Sequence, residues 1–159
     1  MEARTLLVVN PAAGGGRAAR SLDHVLEALR PWGDFEIAVT RAGEVRPAER
    51  IVREAVARGV GRIAVLGGDG TASQALNGLR RDNGSIAPAH LALIPAGTGR
   101  DFARSTGAPR NPIAAAQALV HGATVRTVDV GVVTFPTMQE RLFLNVASFG
   151  VSEIGRAHV

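Results

Sequence analysis

Three short apolar runs, Thr5–Val9, Ile63–Leu66 and Leu91–Ile94, each lead directly into a glycine-rich loop. Short apolar runs bounded by Gly, Pro or Asn are expected of strands buried on both faces of a parallel sheet. In an open parallel sheet, ligands bind at the carboxyl ends of the strands. The three loops are therefore expected to converge on one crevice.

Helical patterns lie between these runs. Ala18, Leu22, Val25, Leu26 and Leu29 recur at helical spacing, as do Ala48, Ile51, Val52, Ala55 and Val56. In the second set, Glu49 to Arg53 and Glu54 to Arg58 are spaced for i,i+4 ion pairs. Phe35, Ile37 and Val39 alternate as a strand between the two helices. Asn111 with Pro112 starts a later helix, and His121-Gly122 ends it. The order β-α-β-α-β-α-β, then a turn and a helix, predicts an α/β fold with a Rossmann-like parallel sheet over residues 1–123. From Thr124 the texture changes, and Val125–Val133 and Arg141–Ala147 read as strands with no helix between them. Residues 124–159 are expected to open a second, β-rich domain that is incomplete here, because two or three strands alone cannot bury a face.

The first loop, Asn10-Pro11-Ala12-Ala13-Gly14-Gly15-Gly16, ends at a helix start. Its glycines permit positive φ and let backbone N–H groups approach a phosphate beside the positive helix terminus. It is not a Walker A loop, since GxxxxGK[ST] is absent and the sequence has no lysine. A dinucleotide fingerprint fits imperfectly, because the second strand ends in Thr40-Arg41 instead of a ribose-binding acid. In the second loop, Gly67-Gly68-Asp69-Gly70-Thr71, a carboxylate sits between glycines where a helix leaves a strand. A role facing the Mg2+ that accompanies phosphates explains Asp69 better than a turn does. Thr71 and Gln74 have capping-box spacing, and Ala72, Ala75, Leu76 and Leu79 supply a buried stripe. The third loop repeats the logic in Pro95-Ala96-Gly97-Thr98-Gly99-Arg100-Asp101, with Thr98 placed to cap and Asp101 three residues on. Asp129 lies between Val128 and Val130, where an unpaired carboxylate would be costly. It is either paired structurally or joined to a metal site. His24, His90, His121 and His158 show no metal-ligand spacing.

Composition removes several classes. The net charge is +4, but the arginines are spread along the chain among acids, with no Tyr to stack bases, so nucleic-acid binding is not expected. No stretch approaches the roughly 18 consecutive apolar residues of a membrane span. The opening MEARTLLVVN carries an acid and runs into a strand pattern, not a signal peptide, which points to a cytoplasmic address. Cysteine is absent, which excludes disulfides and thiolate metal sites.

The segments VVNPAAGGGR, VLGGDGTASQALNGL, PAGTGRDFAR and VDVG followed by FLNVASFG resemble the successive motifs of the diacylglycerol kinase catalytic domain family and related bacterial lipid kinases. GGDGT alone is shared with NAD kinases, which remain an alternative, as does a non-catalytic nucleotide-binding module. The resemblance implies a Rossmann-like N-terminal domain and a C-terminal β-sandwich, with ATP in the cleft between them. It implies phosphoryl transfer from ATP and Mg2+ to a lipid hydroxyl, at the inner face of a membrane if the complete enzyme is peripherally bound. By motif, Asn10, Pro11, Ala12, Ala13, Gly14, Thr40, Gly67, Gly68, Asp69, Gly70, Thr71, Ala72, Ser73 and Thr98 would hold the nucleotide. Asp69, Asp101 and Asp129 would form a water-bridged acidic network organising Mg2+, with Asp69 facing the metal through water. Arg100 departs from the Asn usual before that Asp. The family's general base, a Glu, and its direct metal ligands are expected beyond Val159, so these residues alone are expected to show little or no kinase activity. Unpaired strands toward the C-terminus predict self-association, a homodimer included.

Overall fold

The computed structural model of the protein describes residues 4–122, 124–137 and 139–144. Four strands, β1 (Thr5–Val9), β2 (Phe35–Val39), β3 (Arg62–Gly67) and β4 (His90–Pro95), form one sheet in the order β2-β1-β3-β4. All the pairings are parallel, with Val9 beside Leu66 and Leu66 beside Ile94. The expected α/β fold with a parallel sheet is therefore present.

Alternate residues of each run point to opposite faces, and both faces are covered. Leu7, Val9, Ala64, Leu66 and Ile94 pack against Ala18, Val25 and Leu29 of α1 (Ala13–Leu29) and against Ala115 and Ala116 of α5 (Pro112–Val120). Leu6, Val8, Ile63 and Val65 pack against Ala48, Val52 and Ala55 of α2 (Pro47–Ala57) and against Ala75 and Leu79 at α3 (Asp69–Gly78). Burying each large aliphatic side chain stabilises by roughly 1.5–3 kcal/mol, so these two layers hold the sheet. β2 is an edge strand, and Ile37 and Val39 on it stay about half exposed, at 49% and 50%.

α5 starts as the sequence implies. The Asn111 side chain accepts from the Ile113 and Ala114 amides at 2.9 and 3.0 Å, ahead of Pro112 in the first turn. Glu49 and Arg53 form their i,i+4 pair at 3.0 Å. The second expected pair does not form. Glu54 bonds Arg50 at 3.3 Å, and Arg58 turns to Glu36 of β2 at 2.8 Å, where the strand edge offers an acid shared with Arg4.

Residues 124–130 carry no regular structure, so the strand expected over Val125–Val133 shrinks to β5 (Gly131–Thr134). It pairs antiparallel with β6 (Glu140–Phe143) in a two-stranded sheet separate from the first. The end of the expected strand Arg141–Ala147 and the Phe149–Val159 stretch lie outside the described residues. Among the described residues no helix is long and apolar enough to cross a membrane.

Candidate functional site: three loops at the strand ends

β1, β3 and β4 are parallel and in register, so their carboxyl ends lie at one edge and deliver their loops there together. The first loop reverses tightly. Gly14, Gly15 and Gly16 are all left-handed, with φ of +62°, +63° and +82°, and regular helix follows them in α1. Residues with side chains avoid three such conformations in a row. At Gly14 space is a second constraint, because a Cβ there would overlap the carbonyl oxygen of Ala96 in the third loop. The second and third loops are equally close. A Cβ on Gly97 would lie 2.6 Å from the Cα of Gly68. The expected convergence thus occurs through backbone meeting backbone.

Side chains then lock the loops. Asn10 Nδ2 donates to Thr71 Oγ1 at 2.9 Å, while Asn10 Oδ1 accepts from the Ala12 amide at 3.2 Å. Arg17, the first residue after the glycines, donates to the carbonyl oxygens of Gly97 at 3.0 Å and Ala96 at 3.5 Å. Arg17 was not among the residues expected at the site. Its position directly after a glycine loop, at the start of a helix beside the crevice, was the available signal.

Asp69 is the hub. Its Oδ2 accepts from the Asp101 amide at 3.1 Å and its Oδ1 from the Phe102 amide at 3.2 Å. It thereby satisfies the opening amides of α4 (Asp101–Thr106), which has no capping side chain of its own. The expected cap by Thr98 is not made: Thr98 is exposed and Asp69 takes its place. The expected capping box of Thr71 and Gln74 is likewise absent. α3 begins two residues earlier, at Asp69, which places Thr71 inside the helix. Gln74 Oε1 instead accepts from the Ala48 amide of α2 at 3.3 Å.

Of the three expected acids, two come together. A Cβ on Gly99 would lie 3.2 Å from Oδ2 of both Asp69 and Asp101, so both carboxylates face one point. Asp101 also pairs with Arg104 at 3.1 Å. Asp129 is exposed in the irregular segment and makes no hydrogen bond or ion pair among the described residues, so the argument that a buried strand carboxylate needed a partner does not apply. The remaining residues assigned to the nucleotide are divided. Pro11, Ala12, Ala13, Gly14, Gly68, Gly70, Ser73 and Thr98 are exposed or half-buried at the loops or on α3, whereas Thr40, Gly67, Thr71 and Ala72 are buried. Thr40 ends the edge strand, and its amide donates to Val9 O at 2.8 Å. His24, His90 and His121 are exposed; His158 lies outside the described residues.

Arg100 sits at the N-cap of α4 with φ +54° and ψ +34°. Asparagine tolerates this left-handed conformation better than other residues with a side chain. That preference suits the Asn that the resemblance led one to expect there. The Arg100 guanidinium donates to the carbonyl of Arg110 at 3.2 Å.

Strand order, helices on both faces and loops gathered at the switch between β1 and β3 define a doubly wound α/β domain with three glycine-rich loops in contact at its strand ends. The chain belongs to the diacylglycerol kinase catalytic domain family, whose sequence profile matches residues 4–133. It is 35% identical over 148 residues to a diacylglycerol kinase of Mycobacterium tuberculosis, covering 92% of this chain and 46% of that protein. It is 39% identical over 147 residues to a Pseudomonas aeruginosa protein named "Probable lipid kinase YegS-like", covering 92% and 44%. A crystal structure of a diacylglycerol kinase from Bacillus anthracis superposes with a TM-score of 0.69 at 37% identity, over 80% of this chain and 42% of that one. The chain spans about half the length of the curated relatives it matches.

Proposed function

We propose that the chain is the nucleotide-binding part of an enzyme that transfers the γ-phosphoryl group of ATP to the hydroxyl of diacylglycerol or a similar lipid. The single observation that carries this reading is the backbone contact of the three loops, with Asp69 between them. It builds a cluster of glycine amides and helix starts without a Walker lysine. The proposed nucleotide contacts are Asn10 to Gly14, Thr40, Gly67 to Ser73 and Thr98. The buried members of this set shape the crevice, and the exposed glycine loops present their N–H groups to phosphate.

Phosphoryl transfer depends mostly on positioning and charge stabilisation. The lipid oxygen forms the new bond to the γ-phosphorus, the bond to the β-phosphate oxygen breaks, ADP leaves, and the hydroxyl proton passes to a base. The reading places that base, and direct metal ligands, beyond Val159. Mg2+ would neutralise phosphate charge when bound, and carboxylate oxygens are the donors it prefers. Asp69 and Asp101 fit that chemistry. Each Asp69 oxygen already holds one amide and keeps a lone pair for a bridging water. Asp129 joins this network only if residues 124–130 fold back toward the loops. In this reading residues 124–159 open a second, β-rich domain, of which β5 and β6 are the first strands, and the lipid acceptor brings the enzyme to a membrane surface.

The test supplies the full-length gene product with ATP labelled at the γ-phosphate, Mg2+, NAD+ and vesicles containing diacylglycerol. Label should appear in phosphatidic acid, and Asp69→Asn should lower the rate about 100-fold or more, the scale of losing a group that organises transition-state charge. Label in NADP+ with none in lipid would replace this reading with an NAD kinase. ATP binding with no transfer to either acceptor would leave a nucleotide-binding module.

A further inference from the structure

Among the described residues the β5–β6 hairpin pairs only with itself, four residues to a strand, and an isolated two-stranded hairpin is marginal in water. Leu142 in β6 is nevertheless buried, and its outward backbone groups are both satisfied by one side chain. Asn77, on the last turn of α3, is 3% exposed. Its Oδ1 accepts from the Leu142 amide at 3.0 Å, and its Nδ2 donates to the Leu142 carbonyl at 2.8 Å. The second Nδ2 hydrogen goes to Ser73 O at 2.8 Å. The carboxamide therefore takes the place of a neighbouring strand, offering one donor and one acceptor to a single residue. Its orientation is fixed, because the Leu142 N–H can only donate.

Two ion pairs flank this contact. Arg80 pairs with Glu140, and Arg141 meets Glu49 Oε2 at 2.7 Å while Arg53 holds the other Glu49 oxygen. Most of these groups are partly exposed, and such pairs contribute little. Asn77 is the buried connection.

Asn77 lies eight positions after Asp69, about 12 Å along one helix. The helix that begins in the second glycine loop therefore ends by holding β6. We propose that Asn77 is a positioning residue, one that fastens the second sheet to the rod carrying the phosphate loop and so couples nucleotide binding to the order of β6. The docking stands on the geometry alone; the coupling rests on the function proposed above.

The measurement is amide hydrogen exchange by NMR on the labelled chain, with and without ATP, reading Leu142 against Val65 and Leu66 of β3. In the unaltered chain Leu142 should be protected, and saturating ATP should raise its protection several-fold. Asn77→Leu keeps the volume and removes both bonds; Leu142 protection should fall at least 10-fold, β3 should keep its own, and the response of Leu142 to ATP should vanish while ATP still binds. Asn77→Asp keeps the acceptor for the Leu142 amide and should recover part of the protection. Unchanged Leu142 protection in Asn77→Leu overturns the docking, and so does an equal fall in β3, which would make Asn77 an ordinary core residue. If Asn77→Leu does not fold, Leu142 protection in Asn77→Asp below that of the unaltered chain, with β3 unaffected, would support the docking, because Asp loses both bonds donated by Nδ2, and full protection would overturn it. ATP that binds without altering Leu142 overturns the coupling. Failure of the unaltered chain to bind ATP counts against the proposed function and against the coupling, while the ATP-free comparison still decides the docking.

Discussion

The contact between the first and third loops can be isolated by two alanine substitutions one residue apart. Gly14 and Gly15 share the same backbone conformation, at φ +62° and +63°, but differ in surroundings. An alanine at Gly15 would have nothing within 4 Å, so it incurs only the left-handed backbone cost, about 1–2 kcal/mol. An alanine at Gly14 incurs the same cost and also drives its methyl into the Ala96 carbonyl. Both atoms belong to or adjoin backbone, so the loops must part, which adds about 1–3 kcal/mol. Gly14→Ala should therefore cost roughly 2–5 kcal/mol in all, against a typical total stability of roughly 5–15 kcal/mol. The Tm should fall by about 2–4 °C for each kcal/mol. Urea unfolding followed by circular dichroism gives the free-energy cost and a thermal melt gives the Tm, and calorimetric titration with ATP should show a larger loss of affinity for Gly14→Ala than for Gly15→Ala. If the two substitutions cost the same within about 0.5 kcal/mol, the limit of such comparisons, the first and third loops are not in contact.

Three further outcomes are expected. Arg100→Asn should raise stability by about 0.5–1 kcal/mol, since Asn accepts the left-handed conformation more readily and the bond it gives up, to Arg110 O, is exposed; a lower urea midpoint would refute this. Thr71→Val should cost about 1–2 kcal/mol, because it strips the acceptor from Asn10 Nδ2 at a buried position, and an unchanged urea midpoint would mean that the Asn10 side chain does not secure the first loop. Asp69→Asn should speed amide exchange at Asp101 or Phe102, since an NH2 group must face one of the two amides; unaltered exchange at both would remove Asp69 from its capping role.

The sheet was legible because its strands are buried on both faces. A run such as Leu6–Val9 has no polar option, and a glycine loop then marks its end. α5 was legible because Asn111 and Pro112 act locally, within one turn. Partner choice was not legible. Glu54 had two arginines within helical reach, and only the position of Glu36 on a neighbouring strand decides that Arg58 is taken elsewhere. The caps failed for a similar reason. Spacing suggested that Thr71 and Thr98 serve their own helices, whereas the close approach of the loops lets Asp69 cap α4 from another loop and lets Gln74 serve α2. Asp129 was misjudged because alternating Val and Asp resembles a strand, yet the segment has no partner strand to bury it among the described residues. Arg17 and Asn77 were invisible because their acceptors lie 79 to 80 and 65 residues away in sequence.

The same contacts bear on how the GGDGT motif should be interpreted. A carboxylate between glycines was attributed to metal chemistry because a turn explained it poorly, but the structure gives it a folding task. Asp69 holds the start of α4, and the glycines before it, Gly67 and Gly68, are where Thr71 and Gly97 of the third loop press close. The two roles are compatible, because one amide occupies one lone pair on each oxygen and leaves another free. They are also separable. Asn at position 69 can still accept one amide bond but carries no charge, so it should retain much of the fold while losing attraction for a hydrated cation. A variant that binds ATP without Mg2+ as the unaltered chain does, yet gains no affinity when Mg2+ is added, would assign the charge to the metal and the geometry to the fold. Equal losses with and without Mg2+ would mean that Asp69 acts on the nucleotide only through the loops it holds together.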